Sequence, residues 1–347
     1  MKYSLVPASI AALSLFGSIV DFNALALQLE SSPTAIAQTQ TMAKAFSYKS
    51  GINRVTFQSN GVNLVGNLYL PANYKAGDRL PAVIVSGSWT TVKEQMAGEY
   101  AQKLADRGFA ALAFDSRSFG ESGGKLRNYE SPSNKIADIK NAITFLQTVD
   151  AVNGDRIAGL GICAGAGYMT AVAAEDDRLK ALIAIAPWIH DSAIVNQVYG
   201  GEAKVKQMIQ TGRNAAEKFA KTGQADYVFA TSKTDKSAVM FGEIDYYQNT
   251  ERGAIPQWNN RFAVATWAEW LTFNPTIKAN RVKIPTLFVH SEKAAIPNGA
   301  KQFFAAIPTK NKTFVWANDY QQFDFYDRPG AMDKAIALTT NHLKASL

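Results

Sequence analysis

Arg156-Ile157-Ala158-Gly159-Leu160-Gly161-Ile162-Cys163-Ala164-Gly165-Ala166-Gly167-Tyr168 is the stretch from which the fold is read. Arg156–Leu160 is a short, largely apolar run of the kind that suits a strand buried on both faces. It passes into Gly-x-Cys-x-Gly, after which Ala166-Gly167-Tyr168 opens a helix. The glycines permit a sharp strand-to-helix turn that a Cβ would obstruct, and the turn lifts the central side chain above the sheet edge. That central residue is Cys163, the only cysteine in 347 residues. The following helix aims its N-terminal amides at the sulfur, so a thiolate is expected there. A buried structural cysteine in a glycine-rich turn fits the same letters. The setting between a buried strand and a helix favours a nucleophile.

Outward from this turn, short apolar runs recur at Pro81–Val85, Ala110–Phe114, Leu179–Ala186, Thr286–Val289 and Thr313–Trp316. Helical stretches lie between them near 93–107, 133–149, 164–174, 297–306 and 330–345. Strands alternating with helices predict an α/β fold with a doubly wound, mostly parallel sheet. Ahead of it, Val55–Phe57, Asn60-Gly61 and Val62–Leu70 read as a β-hairpin with Asn-Gly as its tight turn. Residues 192–280 separate two successive strands by more than one crossover helix needs. This stretch carries Tyr246, Tyr247, Trp258, Phe262, Trp267, Trp270 and Phe273. It is expected to be an inserted, mainly helical cap over the carboxyl edge of the sheet, where open α/β sheets bind ligands. The cap aromatics could line an apolar acyl pocket or form the cap's own core, and aromatics mostly pack.

Composition bounds the function. With 47% hydrophobic and 19% charged residues the chain is ordinary globular material, here read as one domain over 51–347 after a loose segment at 38–50. The charge of +7 comes from scattered basic residues, with no stripe and no recognition motif, so a nucleic-acid partner is not expected. Residues 1–37 read as a signal peptide: Lys2, an apolar run from Leu5 to Val20, and small-x-small sites ending at Ala37. The product is expected to be exported, periplasmic or secreted, with no stable membrane span after processing. No metal cluster, phosphate loop or dinucleotide fingerprint appears, and no cofactor is expected.

Four further segments complete the pattern: Ser86-Gly87-Ser88-Trp89 with Lys93-Glu94-Gln95; Asp115-x-Arg117-x-x-Gly120-x-Ser122-Gly123; Val289-His290-Ser291-Glu292; and Phe323-Asp324-Phe325-Tyr326-Asp327. With the Cys163 turn they resemble the α/β-hydrolase superfamily, near its dienelactone-hydrolase-like group, over roughly residues 50–345. The resemblance implies an ester-, thioester- or lactone-cleaving enzyme acting on a small acyl substrate. It implies an oxyanion hole from the backbone of Ser88 or Trp89 together with Ala164. It also requires a histidine after the last core strand and a carboxylate after the preceding one. Here the sequence departs, because those places hold Gln322 and Ala294 or Ala295.

The chain has three histidines. His190, after the strand ending at Ala186, is the candidate base, with Asp191 or Asp324 as the orienting acid; a loop histidine anchoring the cap is the alternative. His290 ends its strand and resembles a structural histidine of the family, and His342 is expected on the surface of the last helix. Two other readings stay open: a degenerate member of the fold that binds an apolar ligand without turnover, and a redox-sensing thiol.

Overall fold

The computed structural model describes residues 48–347, so the expected signal peptide lies outside the described residues. Eight strands form one sheet: β1 (Gly51–Ser59), β2 (Val62–Leu70), β3 (Leu80–Ser86), β4 (Ala110–Phe114), β5 (Val152–Ile162), β6 (Leu179–Ile185), β7 (Thr286–His290) and β8 (Lys312–Trp316). Their order across the sheet is β1-β2-β4-β3-β5-β6-β7-β8. The β1–β2 hairpin is antiparallel, β2 runs antiparallel to β4, and the remaining neighbours are parallel. Asn60 and Gly61, both at positive φ (47° and 78°), make the hairpin turn.

The five residues of β4 are all buried, as are Ala82–Val85 of β3 and all of β6 except Lys180. Unbroken apolar runs suit these places because helices cover both faces of a parallel sheet. The covering helices are α1 (Met96–Ala105), α2 (Pro132–Gln147), α3 (Ala164–Ala173), α8 (Pro297–Ala306) and α10 (Pro329–Ser346), with the single turn α9 (Asp324–Asp327) between β8 and α10. Ser131 caps α2 by accepting from the Asn134 amide, with Pro132 at the first helical position.

Register places the site. Gly161 of β5 pairs with Ser86 of β3 and with Ala184 of β6, so three strands end side by side at one edge. Between β6 and β7 the chain builds a mainly helical cap. It contains α4 (Ser192–Val198), α5 (Glu202–Thr222), α6 (Asp245–Gln248), α7 (Thr266–Trp270), a 3-10 turn at Pro275–Arg281 and two pairs of two-residue strands. Helix α5 crosses α7 closely at Gly212, where a Cβ would come within 2.5 Å of the Ala268 nitrogen. It ends at Gly223 in the left-handed conformation.

Candidate active site

Strand β5 ends in a strained turn. Cys163 has φ 54° and ψ −120°, a conformation that a residue with a Cβ adopts only when its surroundings impose it. The imposing contacts are visible. The Cys163 amide donates to Ile185 O at 3.0 Å, and its carbonyl accepts from the amides of Ala166 (3.0 Å) and Trp188 (2.9 Å). A Cβ on Gly165 would lie 2.3 Å from Gly87 O, and one on Gly161 would lie 2.4 Å from Gly165 O. The two glycines let β3, β5 and α3 meet at van der Waals distance. Cys163 is 6% exposed and lines a cavity of about 300 Å³. Around it stand Trp188, Tyr199, Val239 and Met240, with Tyr247 and Trp270 from the cap and Phe323 below.

Two backbone amides, of Ala164 and Trp89, face the sulfur. Ser88 contributes its side chain there instead. The Trp89 loop is clamped on both sides. Thr90, itself at φ 62°, donates its amide to Glu130 Oε2 at 2.9 Å and accepts from Trp258 Nε1 at 2.9 Å. Buried Glu130 also accepts from Tyr168 Oη at 2.7 Å and pairs with Lys135 at 2.7 Å. Since Tyr168 belongs to α3, one carboxylate ties the Trp89 loop to the helix that carries the cysteine.

The sulfur's other neighbours are hydroxyls. Ser88 and Tyr326 line the cavity beside it, and both hydroxyls act to lower its pKa. Ser88 Oγ lies 2.8 Å from Tyr326 Oη and accepts from Tyr247 Oη at 3.2 Å. Gln322 completes the cluster. Its Oε1 accepts from the Ala295 amide at 3.0 Å, and its Nε2 donates to Ala186 O at 3.0 Å while facing Tyr326 Oη at 3.5 Å. The surrounding peptide groups therefore fix which end of the amide faces the site. Burial pushes the Cys163 thiol up, an effect the hydroxyls and the two amides only partly offset. The expected thiolate is thus corrected to a neutral thiol at rest, because desolvation outweighs the end of helix α3. A buried thiol raised in this way is also unlike the exposed, low-pKa cysteines that sense peroxide.

The expected base and acids are not gathered around the sulfur. His190 is 2% exposed, and its Nδ1 accepts from Trp188 Nε1 at 2.9 Å. Its ring packs edge-on to Trp270 at 4.8 Å and to Phe273 at 6.0 Å. No hydrogen bond joins it to Cys163; it anchors the cap. Asp191 caps α4 by accepting from the Ile194 amide at 2.9 Å. Asp324 accepts from the Gln321 amide at 2.7 Å within its own turn. Each carboxylate satisfies nearby backbone, as acidic residues ahead of a helix commonly do. His290 is fully buried and stacks on Trp316 at 5.9 Å. His342 is half-buried rather than on the surface. Ala294 turns its amide to Ser291 O and brings no acid.

Residues that the pattern did not single out for the site are Tyr326, Tyr199 and Trp188. A signal for Tyr326 was present, since it follows Gln322 by four residues, the spacing that puts two side chains on one side of a helical turn. The cap aromatics divide: Tyr247 and Trp270 line the cavity, while Phe262 and Trp267 pack on Trp89 at 5.0 and 6.1 Å. The Asp115 loop is bracing. Asp115 accepts from the Lys93 amide at 2.8 Å, Lys93 Nζ at 2.9 Å and the Glu121 amide at 2.9 Å.

Comparison with known proteins agrees with this architecture. Residues 60–318 match the family described as X-Pro dipeptidyl-peptidase (S15 family). Uncharacterized protein PA2218 of Pseudomonas aeruginosa is 32% identical over 303 residues, 84% of this chain and 80% of that protein. Its crystal structure superposes with a TM-score of 0.74 over 90% of this chain and 99% of that one. Uncharacterized protein YcjY of Escherichia coli is 27% identical over 85% of this chain and 99% of its own length. A polyketide transferase of Penicillium crustosum, claH, is 27% identical over 64% of this chain and 73% of its own. With its strand order, its strained turn after β5 and this match over most of its length, the chain belongs to the X-Pro dipeptidyl-peptidase (S15 family) family and carries the α/β-hydrolase fold.

Proposed function

We propose that the protein is a cysteine-dependent acyl-group enzyme that takes an apolar acyl chain from a thioester or an activated ester, or opens a lactone, onto Cys163. The observation that carries this reading is the thiol itself: held at a strained turn, faced by two amides, and open to an apolar cavity. As Sγ attacks the carbonyl carbon, the Ala164 and Trp89 amides receive the developing oxyanion. The C–S bond forms, the bond to the leaving group breaks, and the thiol proton goes to the departing atom. A second nucleophile then takes the acyl group and returns a proton to the sulfur. The Penicillium relative, named as a polyketide transferase, is in keeping with this chemistry.

The leaving group narrows the substrate. An alkoxide or an amine must be protonated as it departs, ordinarily by an imidazolium. No histidine hydrogen bonds to Cys163 among the described residues. Groups that leave as stabilised anions, thiolates and phenolates above all, ask least of such a site; the alkoxide of a lactone asks for a proton from elsewhere, and peptides suit it worst. Export remains part of the proposal, resting on residues 1–37, and periplasmic fractionation of a tagged full-length chain tests it.

The decisive experiment incubates the purified chain with short- and medium-chain acyl thioesters and nitrophenyl esters and follows the intact mass. An adduct of one acyl group on Cys163, absent in Cys163→Ala, is expected. Turnover that survives Cys163→Ala would refute the assignment. The place of Gln322 favours a second reading, a binder without turnover. It requires an apolar ligand to raise the melting temperature while no thioester leaves an adduct.

A further inference from the structure

We propose, building on the acyl-enzyme reading above, that Tyr326 and Ser88 carry the proton that a histidine carries elsewhere on this fold, so that the site runs on a hydroxyl relay instead of an imidazole. The geometry is that of a relay. Tyr326 Oη and Ser88 Oγ are 2.8 Å apart, and both residues line, together with Cys163, the cavity where the acyl carbonyl must sit.

Hydrogen-bond bookkeeping sets the direction. Gln322 can present only N–H to Tyr326, because its oxygen is taken by the Ala295 amide. Tyr247 donates to Ser88 Oγ at 3.2 Å and also faces Trp89 O at 3.4 Å. The phenol of Tyr326 is thus an acceptor from Gln322; with Ser88 donating across the 2.8 Å contact, in which either oxygen can be the donor, the Tyr326 proton is left to point into the cavity. When Sγ bonds to the carbonyl carbon, its proton passes to Ser88 Oγ, the Ser88 proton passes to Tyr326 Oη, and the Tyr326 proton passes to the leaving heteroatom. One S–C bond forms, one C–X bond breaks, one X–H bond forms, and neither hydroxyl ends with a charge. The central transfer, between Ser88 and Tyr326, is a short hop across a 2.8 Å contact, and such a path is what a neutral thiol needs and a preformed thiolate would not.

Groups facing the relay from the surrounding elements leave it neutral around pH 7. Tyr168 on α3, Tyr199 and Tyr247 in the cap, and Tyr326 on α9 are all raised by burial. Glu130 is engaged by Lys135, Tyr168 and the Thr90 amide. His190 and His290 are pushed down to about 4 by burial, and neither hydrogen bonds to Cys163.

The test is the rate of Cys163 acylation, read by quenched mass spectrometry from pH 5.5 to 8, with an alkyl thioester and with an aryl thioester of the same acyl chain. Wild type should show a flat profile. Tyr326→Phe should lose on the order of 100-fold with the alkyl thioester, the usual range for removing a general acid, with little change in KM. It should lose far less with the aryl thioester, whose stabilised thiolate needs no proton to depart, so that the thiol's proton can pass to solvent instead of along the relay. A merely structural role would slow both substrates alike. Ser88→Ala, a smaller change, should reproduce the same asymmetry and carries the test if Tyr326→Phe melts early. Wild-type rates within threefold for both variants, equal losses on both substrates, or an inflection near pH 6.5 would overturn the relay while leaving Cys163 as the acyl acceptor. Absence of any adduct in wild type would overturn the acyl-enzyme reading itself, and the relay with it.

Discussion

Cys163 sits at a φ that most side chains avoid, and its neighbours hold it there through three backbone hydrogen bonds. Such strain costs roughly 1–3 kcal/mol and is relieved by glycine, which has no Cβ to clash. Cys163→Gly is therefore expected to be more stable than Cys163→Ala by about 1 kcal/mol, although both lack the thiol. Equilibrium urea unfolding of the two variants measures this; equal midpoints would mean that the turn is unstrained. Position 322 makes a related point at the same scale. Gln322 bridges Ala295 and Ala186, so it stitches together the ends of three strands' loops where a proton carrier is usual. Its letter shows that it cannot move a proton, but only the fold shows that its amide is oriented by backbone and that a phenol stands beside it.

Elements meet at Glu130. This carboxylate follows the Asp115 loop, precedes α2, and holds both the Thr90 amide and the α3 phenol of Tyr168. Glu130→Gln keeps the shape but leaves Lys135 without its ionic partner in a buried place, where an unpaired charge is strongly destabilising, by about 3–5 kcal/mol. The melting temperature should fall, and kcat for acyl transfer should fall with KM little changed, since the cavity wall stays in place. An unchanged kcat in the folded fraction would separate this clamp from the chemistry. Pairing Glu130→Gln with Lys135→Met removes the stranded charge and should restore most of the stability. The strands and helices around this clamp were legible in the sequence because each follows a local period. The clamp was not, since Thr90, Glu130 and Tyr168 are 38 to 78 residues apart and meet only through the crossing of β3, β5 and α3.

For the molecule as a whole, the buried histidines set a pH limit. His190 and His290 are held down to about 4 by burial, against about 6.5 in an unfolded chain. Both are neutral in the fold, so their contribution is fully present above pH 6.5. Between 6.5 and 4 the unfolded chain takes up protons that the folded one refuses, and stability falls with pH. The loss is up to about 3 kcal/mol per histidine. Urea midpoints from pH 7 to pH 4 should drop, and His290→Phe should flatten the decline relative to wild type. A parallel decline in the variant would show that His290 is not responsible. Loss of the fold near pH 4 is a separate event from the flat acylation profile expected between 5.5 and 8, and the two are read by different measurements.

By itself the sequence determined the architecture. Apolar runs, glycine spacing and turn residues are local features, and local features are enough to place strands, helices, the hairpin, the elbow and the insertion over the sheet. It also determined that Cys163 is the nucleophile candidate, because a strand–turn–helix elbow depends on contiguous residues. Tertiary structure alone decided the thiol's state and its company. The protonation of Cys163 is set by how completely surrounding atoms exclude water, and Trp89, Ser88 and Tyr326, which stand beside it, lie 74 to 163 residues away in the chain. His190 sits at the correct edge of the sheet by sequence, yet the indole of Trp188 and the rings of Trp270 and Phe273 hold it aside. Which side chains converge on one atom depends on the packing of all the elements together, and no periodicity in the chain records that.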